Sequence, residues 1–175
     1  MSNIRTAASK DFDSIFEIIE KSFPPDEYRD YDEHKKLFDQ GAFTVFVIDD
    51  EETKKVKAFI TLWQFEKFAY IEHFAVSPDC RNQGLGAKLL NFVKSNLNCI
   101  ACLEVEPPQS DFAKRRIGFY ERNSFYLNRY PYIQPAFSKD KNPVELMIMT
   151  TGGTVTEEMY EKIRDTLYKK VYKVR

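Results

Sequence analysis

The most informative stretch of the chain is CRNQGLGAKLLNFVKSN, residues 80–96, in which two glycines stand one residue apart. Gly84 and Gly86 follow the strand-like segment FAYIEHFAV, residues 68–76, and precede a run with apolar residues at helical spacing. The apolar face of that run consists of Leu85, Leu89, Phe92, Val93 and Leu97. The stretch therefore predicts a strand, a glycine-rich turn and a helix.

A turn of this kind is suited to binding phosphate. The free N–H groups of a first helical turn lie at the positive end of the helix dipole, and glycine lets the backbone approach an anion closely. Two known phosphate motifs do not match, because a P-loop needs Lys and then Ser or Thr after its second glycine, and a dinucleotide fingerprint needs a third glycine at Leu89. A kinase or a dinucleotide-dependent oxidoreductase is therefore disfavoured.

Length and charge indicate one globular domain without a strong overall field. The chain has 175 residues, 43% of them apolar, which is enough for one compact core. Its 26 basic and 27 acidic residues give a formal net charge of -1, so no positive field attracts nucleic acid or anionic lipid. We expect a single domain over residues 1–175 that binds small molecules or proteins, with no nucleic acid and no membrane.

The N-terminus and the cysteines indicate a reducing compartment. The opening MSNIRTAASKDFDSIF lacks the apolar segment of a signal peptide, and no apolar run approaches the roughly 18 residues of a membrane span. We therefore expect a cytoplasmic protein in which Cys80, Cys99 and Cys102 stay reduced. Cys99 and Cys102 form a C-x-x-C pair, but their odd spacing in the strand-like CIACLEVE points them to opposite faces, which disfavours a redox role. With only His34 and His73 as histidines, no metal site is expected.

The rest of the chain alternates between strand and helix patterns. Before the glycines we predict a strand in NIRTA, a helix capped by Ser9, a helix from about Tyr31 to Gln40, and a hairpin of FTVFVIDD and VKAFITLWQF. After them we predict the strand IACLEVE, a helix over 111–122, strands around FYLNRYPYIQ and VELMIMTT, and a last helix behind a Thr154–Glu157 capping box. This order predicts an α/β (α+β) fold with a single mixed, mostly antiparallel sheet of about seven strands flanked by helices.

The glycine turn also carries a family resemblance. Arg81-Asn82-Gln83-Gly84-Leu85-Gly86 follows a strand ending in AVSP and has the form R-x-x-G-x-G, which resembles the GNAT superfamily of N-acetyltransferases. The likeness covers nearly the whole chain and includes FYERNSF, residues 119–125. Ser124 replaces a usual glycine, and Ala113 stands where many members carry an asparagine that contacts CoA. The resemblance implies an acyl-CoA N-acyltransferase fold, acetyl-CoA as cosubstrate and no metal.

The resemblance also implies which residues bind the cosubstrate. In the family the turn holds the pyrophosphate of acetyl-CoA, and the preceding strand end pairs through its backbone with the pantetheine arm. The first role falls to Arg81, Asn82, Gln83, Gly84, Leu85, Gly86 and Ala87, and the second to Phe74, Ala75 and Val76. The backbone N–H of Val76 is expected to polarise the thioester carbonyl.

Acetyl transfer to an amine needs a proton acceptor, because an alkylammonium with a pKa of about 10.4 is neutral in only about one molecule in two thousand at pH 7. Strict alternation along FAYIEHFAV places Glu72 on the same face as Tyr70 and Phe74, near the expected acetyl group. The same alternation turns His73 to the other face. Glu104 on the next strand is the second candidate, and by resemblance it aligns with the base proposed for ribosomal-protein alanine acetyltransferases.

Departure of the CoA thiolate is easier with a hydroxyl donor within reach. By resemblance Tyr120 takes this general-acid role, and the alternative is an aromatic anchor beside Phe119. The acidic segment PPDEYRDYDEH and the aromatic segment NRYPYIQPAF suit a cationic amine acceptor, although a solvated loop and a packed strand explain them equally well.

These observations lead to two hypotheses from different classes. The first is an N-acetyltransferase that moves an acetyl group from acetyl-CoA directly to a primary amine of a small molecule or peptide, since no cysteine is placed for a covalent intermediate. The second is a non-catalytic acyl-CoA-binding sensor or regulatory module of the same fold. Glu72, Glu104 and Tyr120 together favour the enzyme. The apolar stripe of the last helix predicts either a cover for the sheet or a possible homodimer.

Overall fold

The computed structural model describes residues 3–174 and has an eight-stranded sheet at its centre. In chain order the strands are β1 (Ile4–Thr6), β2 (Thr44–Asp49), β3 (Val56–Gln64), β4 (Phe68–Val76), β5 (Ile100–Val105), β6 (Phe125–Leu127), β7 (Tyr132–Gln134) and β8 (Val144–Thr151). Their order across the sheet is β1-β2-β3-β4-β5-β8-β6, and β7 pairs with the half of β8 that β6 leaves free. Only β4 and β5 are parallel among the described strands, so the predicted mixed, mostly antiparallel sheet is confirmed.

Five helices cover the two faces of the sheet. They are α1 (Phe12–Ser22), α2 (Tyr31–Asp39), α3 (Leu85–Ser95), α4 (Asp111–Arg122) and α5 (Glu157–Thr166), and a π-helical turn, Leu167–Val171, continues α5. The apolar stripes of α1 and α5 form one core with the first face of the sheet, and those of α3 and α4 form a second core with the other face. Ile163, Leu167 and Val171 are at most 2% exposed. The stripe of the last helix therefore covers the sheet within one chain.

Two helices begin later than their sequence patterns predict. Ser9 lies in a short 3-10 turn, and Asp11 precedes α1, where its carboxylate accepts the N–H of Ala8 at 2.7 Å. Thr156 rather than Thr154 caps α5, since its hydroxyl accepts the N–H of Met159 at 3.3 Å. Both threonines near the start of α5 are able to cap it, and Thr156 does so, whereas no side chain caps the N-terminus of α1.

The segment FYLNRYPYIQ forms two three-residue strands rather than one. The chain leaves the ladder between β6 and β7, where the buried Asn128 donates through its side-chain amide to Ile148 O at 3.1 Å and Thr150 Oγ1 at 2.9 Å. Pro131 follows and has no N–H to donate to a ladder. This break accounts for the eighth strand.

A bulge interrupts β4 where it pairs with β3. Ile60 pairs with Phe74, and Leu62 pairs with Ile71. β4 thus advances three residues while β3 advances two, which places an extra residue at positions 72–73. An extra residue resets the alternation, so the side chains on either side of it no longer follow one period of two.

The bulge changes the faces predicted for the middle of β4. The ring of His73 lies 4.9 Å from that of Phe23, and Glu72 accepts a hydrogen bond from Trp63, so both residues lie on the face that α1 covers. Phe74 instead packs in the core beneath α3. Glu72 shares the face of Tyr70, as predicted, but the prediction that Phe74 lies on this face and His73 on the opposite one was wrong.

The parallel strands β4 and β5 pair only along the first part of their length. Residues 68–71 of β4 pair with residues 100–103 of β5, and both strands continue beyond this ladder. Among the described strands, none pairs with the β5-facing edge of β4 from Glu72 to Val76. The separating strand ends create the opening in which the candidate site lies.

Candidate active site

A groove of about 500 Å³ runs along the end of β4 and between the first turns of α3 and α4. All but one of the ten residues predicted to bind the cosubstrate line it, namely Phe74, Ala75, Val76, Arg81, Asn82, Gly84, Leu85, Gly86 and Ala87. Gln83 is exposed and lies outside the groove lining. The fold thus brings the strand end and the turn together into one binding surface.

The two glycines of the turn meet different requirements. Gly84 adopts a left-handed conformation with φ of +75° as the N-cap of α3, which a residue with a β-carbon adopts only with strain. A β-carbon on Gly86 would lie 3.2 Å from the ring of Phe74 and 3.4 Å from that of Phe119. Gly84 therefore shapes the turn, and Gly86 allows α3 to approach the aromatic wall of the groove.

The turn has the features of an anion site. The first N–H groups of α3 have no intrahelical acceptor, and they lie at the positive end of the helix dipole. On the opposite wall, Arg115 and Arg116 of α4 also line the groove. We did not predict these arginines from the sequence, although their place in the first two turns of a helix that follows β5 was a usable signal. Backbone donors and guanidinium groups together fit the phosphates of a nucleotide thioester.

The open edge of β4 presents a free backbone donor to the groove. The N–H of Ser77 donates to Lys57 O in β3 at 2.7 Å. Because successive N–H groups of a strand point in opposite directions, the N–H of Val76 faces the open edge. The Val76 carbonyl on that edge accepts a hydrogen bond from Arg81 Nε at 3.3 Å. An extended ligand chain can therefore add to this edge as a strand would.

Ala113 of α4, which stands where many members of the resembling family carry an asparagine, does not line the groove. It is 2% exposed, and its N–H donates to the N-cap oxygen of Ser110 at 3.1 Å. Phe112, one residue earlier, is 56% exposed, lines the groove and lies 5.5 Å from the Arg116 guanidinium. The groove wall of α4 thus consists of an aromatic ring and arginines.

A small cavity lies between the separated ends of β4 and β5, next to the groove. Its volume is about 30 Å³, which is room for a water molecule or two. Phe74, Arg116 and Tyr120 line both the groove and the cavity. Most of the ionisable side chains around the cavity are acidic, namely Glu27, Glu72, Glu104 and Glu106. His73 and Arg116 also line it, so the cavity brings acidic and basic groups together.

Glu72 is held in a buried ion pair. Its Oε1 lies 2.5 Å from the guanidinium of Arg29, its Oε2 accepts the indole N–H of Trp63 at 2.9 Å, and its side chain is 0% exposed. Burial raises the pKa of this carboxyl, but the charge of Arg29, the two neighbouring histidines and the hydrogen bond from Trp63 together outweigh burial, and the pKa falls to about 2. A carboxylate so strongly held in its ionised form is a weak proton acceptor, which counts against Glu72 as the base.

Arg29 itself was not predicted as a site residue. It lies in the segment PPDEYRDYDEH, where the surrounding acidic residues suggest a solvated loop, yet it is 1% exposed. Its guanidinium lies 4.7 Å from the ring centre of Phe137 and donates to Val171 O at 3.1 Å. The loop between α1 and α2 is thereby fixed to the middle of the sheet and to the C-terminal segment.

Glu104 has a different environment on the neighbouring strand. Tyr70 donates to its Oε2 at 2.9 Å, Tyr132 donates to its Oε1, and the hydroxyl of Tyr172 lies 2.8 Å from both oxygens. Burial raises the pKa of Glu104 to about 7, although the tyrosine hydroxyls lower it and the charge of Glu72 raises it further. A carboxyl with this pKa exchanges a proton readily near neutral pH, as a general base must.

Tyr120 stands where the groove meets the cavity. It is 6% exposed and packs against the rings of Phe74, Phe119 and Phe125 at centre distances of 6.3, 5.4 and 5.8 Å. Burial raises the pKa of its hydroxyl, an effect that Arg116 partly offsets, so the hydroxyl carries its proton at neutral pH. The position suits a proton donor and an aromatic anchor alike.

The acidic segment 24–34 is largely engaged within the protein. The Asp26 carboxylate accepts the backbone N–H of Asn142 at 2.9 Å, and Asp30 lies 3.2 Å from the ammonium of Lys141. Glu27 lines the cavity, where burial and the charge of Glu106 raise its pKa to about 7. The remaining acidic residues of the segment, Asp32 and Glu33, lie in the first turn of α2, and the cationic-acceptor surface stays a prediction.

The aromatic residues of NRYPYIQPAF are also internal. Tyr132 binds Glu104 and Phe137 packs on Arg29, while Tyr130 stacks on Tyr160 at 4.6 Å. For this segment the alternative of a packed strand is thus the better description.

Other expectations concern metals, thiols and membranes. Within residues 3–174 no three His, Cys, Asp or Glu side chains form a group able to hold a metal ion. Cys99 and Cys102 are free thiols associated with opposite cores, as their spacing predicts. None of the helices described between residues 3 and 174 combines the length and apolarity needed to cross a membrane.

The open sheet, the separated strands and the glycine turn at the head of α3 define the class of acyl-CoA-dependent N-acyltransferases. The model of the acetyltransferase (GNAT) family matches residues 12–125, more than half of the chain, and the chain belongs to this family. It is thus an acyltransferase of a family that uses acetyl-CoA as cosubstrate. This assignment supports the enzyme over the non-catalytic binding module.

Similar proteins agree with the assignment. A structure from Bacteroides thetaiotaomicron, assigned to the GNAT family, superposes with a TM-score of 0.88 at 34% identity and covers 99% of both chains. YjbC of Bacillus subtilis (strain 168), a protein named as an acetyltransferase, is 30% identical over 107 residues, which are 59% of this chain and 55% of that relative. The chain thus matches little more than half the length of this curated relative.

More distant structures share the fold alone. The ribosomal-protein-S18-alanine N-acetyltransferase of Escherichia coli has a TM-score of 0.61 at 21% identity and covers 90% of this chain and 97% of its own. A spermidine N-acetyltransferase variant of Vibrio cholerae has a TM-score of 0.63 at 17% identity, with coverage of 85% and 94%.

Proposed function

We propose that this acyltransferase moves the acetyl group of acetyl-CoA directly to a primary amine of a small molecule or peptide, with Glu104 as general base and Tyr120 as general acid. The observation that carries the proposal is the shared cavity. Glu104, with a pKa of about 7, and Tyr120, with a protonated hydroxyl, line the same water-sized space where it joins the groove. A base and an acid at the two ends of one reaction path are what amide formation from a thioester requires.

The groove residues fit the cosubstrate. We assign the phosphates to the N–H groups of residues 84–87 and to Arg115, and the extended arm to the open edge of β4 at Val76. When bound, acetyl-CoA supplies the acetyl group as a reactive thioester. The Val76 N–H faces the same edge and is the donor that we assign to the carbonyl oxygen of that group.

The proton balance assigns one transfer to each catalytic residue. A primary amine that arrives as an ammonium ion loses its first proton to Glu104, directly or through a water in the cavity, and Glu104 passes it to solvent, which leaves a neutral amine able to attack. Forming the N–C bond releases a second proton from the nitrogen, which balances the proton that Tyr120 gives up and restores its hydroxyl. Breaking the C–S bond leaves a sulfur anion, to which the Tyr120 hydroxyl donates its proton. The acidic lining formed by Glu27 and Glu106 favours an acceptor that arrives as an ammonium ion, so the base is needed near neutral pH.

The decisive experiment measures free thiol release from acetyl-CoA with a panel of primary amines, first for the natural protein and then for Glu104→Gln. We expect Glu104→Gln to lower kcat roughly 100-fold or more with little change in the affinity for acetyl-CoA. Glu106→Gln removes the same charge from the same cavity and is the matched control, and it should act mainly on the KM of the amine. Equal losses of kcat in the two variants would assign Glu104 a purely electrostatic role.

A further inference from the structure

We propose that Tyr70, Tyr132 and Tyr172 are positioning residues, which hold the Glu104 carboxylate in its reactive orientation and stabilise its ionised form. This inference rests on the proposed role of Glu104 as the base. It gives the C-terminal segment of the chain a specific function, in addition to covering the sheet.

The three hydroxyls surround both oxygens of the carboxylate. Tyr70 donates to Oε2 at 2.9 Å, Tyr132 donates to Oε1, and the hydroxyl of Tyr172 lies 2.8 Å from each oxygen and 3.1 Å from the hydroxyl of Tyr70. An ionised carboxylate only accepts hydrogen bonds, so it matches this set of donors. A protonated carboxyl brings a donor of its own, so one of these hydroxyls would have to accept it and could no longer stabilise the carboxyl as a donor.

The hydroxyls come from three parts of the chain, and each ring is locked in place. Tyr70 lies on β4, Tyr132 on β7 and Tyr172 directly after the π-helical turn, with exposed fractions of 1%, 3% and 7%. Buried rings keep one orientation, so their hydroxyls are fixed relative to the sheet. Glu104 therefore does not need to find its orientation after the acceptor binds.

The π-helical turn connects the two carboxylates of the site. The N–H of Tyr172 bonds to Leu167 O at 3.0 Å, which closes the wide turn, and the carbonyl of Val171 accepts the guanidinium of Arg29. One residue of this turn thus holds the cation that neutralises Glu72, and the next residue holds Glu104. Single π-helical turns occur frequently at functional sites because they shift a side chain out of the regular helical register.

The groups around Glu104 determine whether the loss of a hydroxyl raises or lowers the pKa of its carboxyl. The ionisable and charged neighbours from the surrounding elements are Glu72, His73, Cys102, Glu27, Glu106, Arg116, Tyr120 and Tyr168, together with the three tyrosines. Burial and the charge of Glu72 raise the pKa of Glu104, and the three hydroxyls lower it, with a result of about 7. Removing a hydroxyl therefore raises this pKa and leaves less base at neutral pH.

The test compares the pH dependence of kcat in Tyr172→Phe and in the natural protein. Tyr172→Phe removes a hydrogen bond to a charged group, so the pKa seen on the acid side of the kcat–pH profile should rise by roughly one unit. The kcat of the variant should therefore be about tenfold lower than that of the natural protein below pH 7 and should approach the natural value near pH 9. Tyr132→Phe should shift the pH profile in the same direction, and it replaces Tyr172→Phe in the test if that variant folds poorly. Tyr160→Phe is the matched control, because its hydroxyl donates to Pro131 O at 2.5 Å in the same core and does not contact Glu104.

A second readout does not depend on activity. Infrared titration of the carboxylate band, with Glu104→Gln as the reference that lacks this group, follows the protonation of Glu104 directly. The band should titrate at higher pH in Tyr172→Phe than in the natural protein. Identical titrations, or a loss of kcat that is uniform over pH, would overturn the inference. If Glu104→Gln kept full activity, only the role of Glu104 as base would fail, since the infrared titration would still report whether the tyrosines stabilise its ionised form.

Discussion

At the scale of single residues, two glutamates on neighbouring strands have opposite properties. Glu72 faces a guanidinium and has a pKa of about 2, whereas Glu104 faces phenol hydroxyls and has a pKa of about 7. Both are enclosed by protein, so the partner rather than burial makes the difference. We therefore infer a structural role for the first and a catalytic role for the second.

Removing one partner of the buried pair of Arg29 and Glu72 should be strongly destabilising. Glu72→Gln leaves the guanidinium buried without a counter-charge, which is expected to lower the free energy of unfolding by about 3–5 kcal/mol. Urea denaturation at pH 7 measures this loss. The double variant Arg29→Met with Glu72→Gln has no uncompensated charge and should lose clearly less than the sum of the two single changes. Strict additivity would show that the two residues are not coupled.

Tyr120→Phe separates the two interpretations of this tyrosine. The change keeps the ring among Phe74, Phe119 and Phe125 and removes only the hydroxyl. For a general acid, kcat should fall roughly 100-fold while the dissociation constant of acetyl-CoA stays nearly constant. Tyr126→Phe, on an exposed ring, is the control. An unchanged kcat would leave Tyr120 with the role of an aromatic anchor.

At the scale of secondary-structure elements, the first turn of α3 is a rigid site for anions. Its geometry depends on the left-handed Gly84 and on the close packing of Gly86 against β4 and α4. Substitutions at either glycine would disturb the fold and the ligand site together. Ala87 lines the groove one residue further along and has an ordinary helical backbone, so it offers a cleaner test.

Ala87→Glu should abolish the binding of acetyl-CoA while keeping the helix intact. A carboxylate in the first turn of a helix is favourable for the helix itself, but it places a negative charge beside the phosphate site. Isothermal titration calorimetry measures the affinity, and far-ultraviolet circular dichroism checks the fold. Ala87→Gln has nearly the same size and no charge, so a similar loss of affinity in both variants would indicate steric blocking rather than repulsion.

At the scale of the whole molecule, the groove joins parts that are far apart in the chain. β4, α3 and α4 meet at the groove, and α1 contributes Ser22 to its lining. A ligand that contacts all of them binds only the folded state and therefore stabilises it.

Acetyl-CoA should accordingly raise the melting temperature. At a free concentration of a hundred times the dissociation constant, the expected gain is about 2.7 kcal/mol in the free energy of unfolding. Differential scanning fluorimetry with increasing acetyl-CoA tests this, and Ala87→Glu should show no gain. A melting temperature that is insensitive to millimolar acetyl-CoA in the natural protein would contradict the assignment of the groove.

Local patterns in the chain were sufficient for much of the fold. Alternating apolar residues delimit β4 at Phe68–Val76, and helical spacing delimits α4 at Asp111–Arg122, both as predicted. The spacing of Gly84 and Gly86 after a strand was enough to locate the groove. These features depend on neighbours within a few residues, and a periodic pattern records such short-range constraints directly.

The partners of the two candidate carboxyls depend on the tertiary structure. Glu72 meets Arg29, which lies 43 residues away in the chain, and Tyr172 reaches Glu104 across 68 residues, while the bulge in β4 turns His73 onto the face of Glu72. Strand register and contacts of this length arise from the packing of the whole domain, so no local pattern records them. The sequence therefore identified two candidate bases, and only the folded protein distinguishes a carboxylate neutralised by a cation from one surrounded by hydroxyl donors.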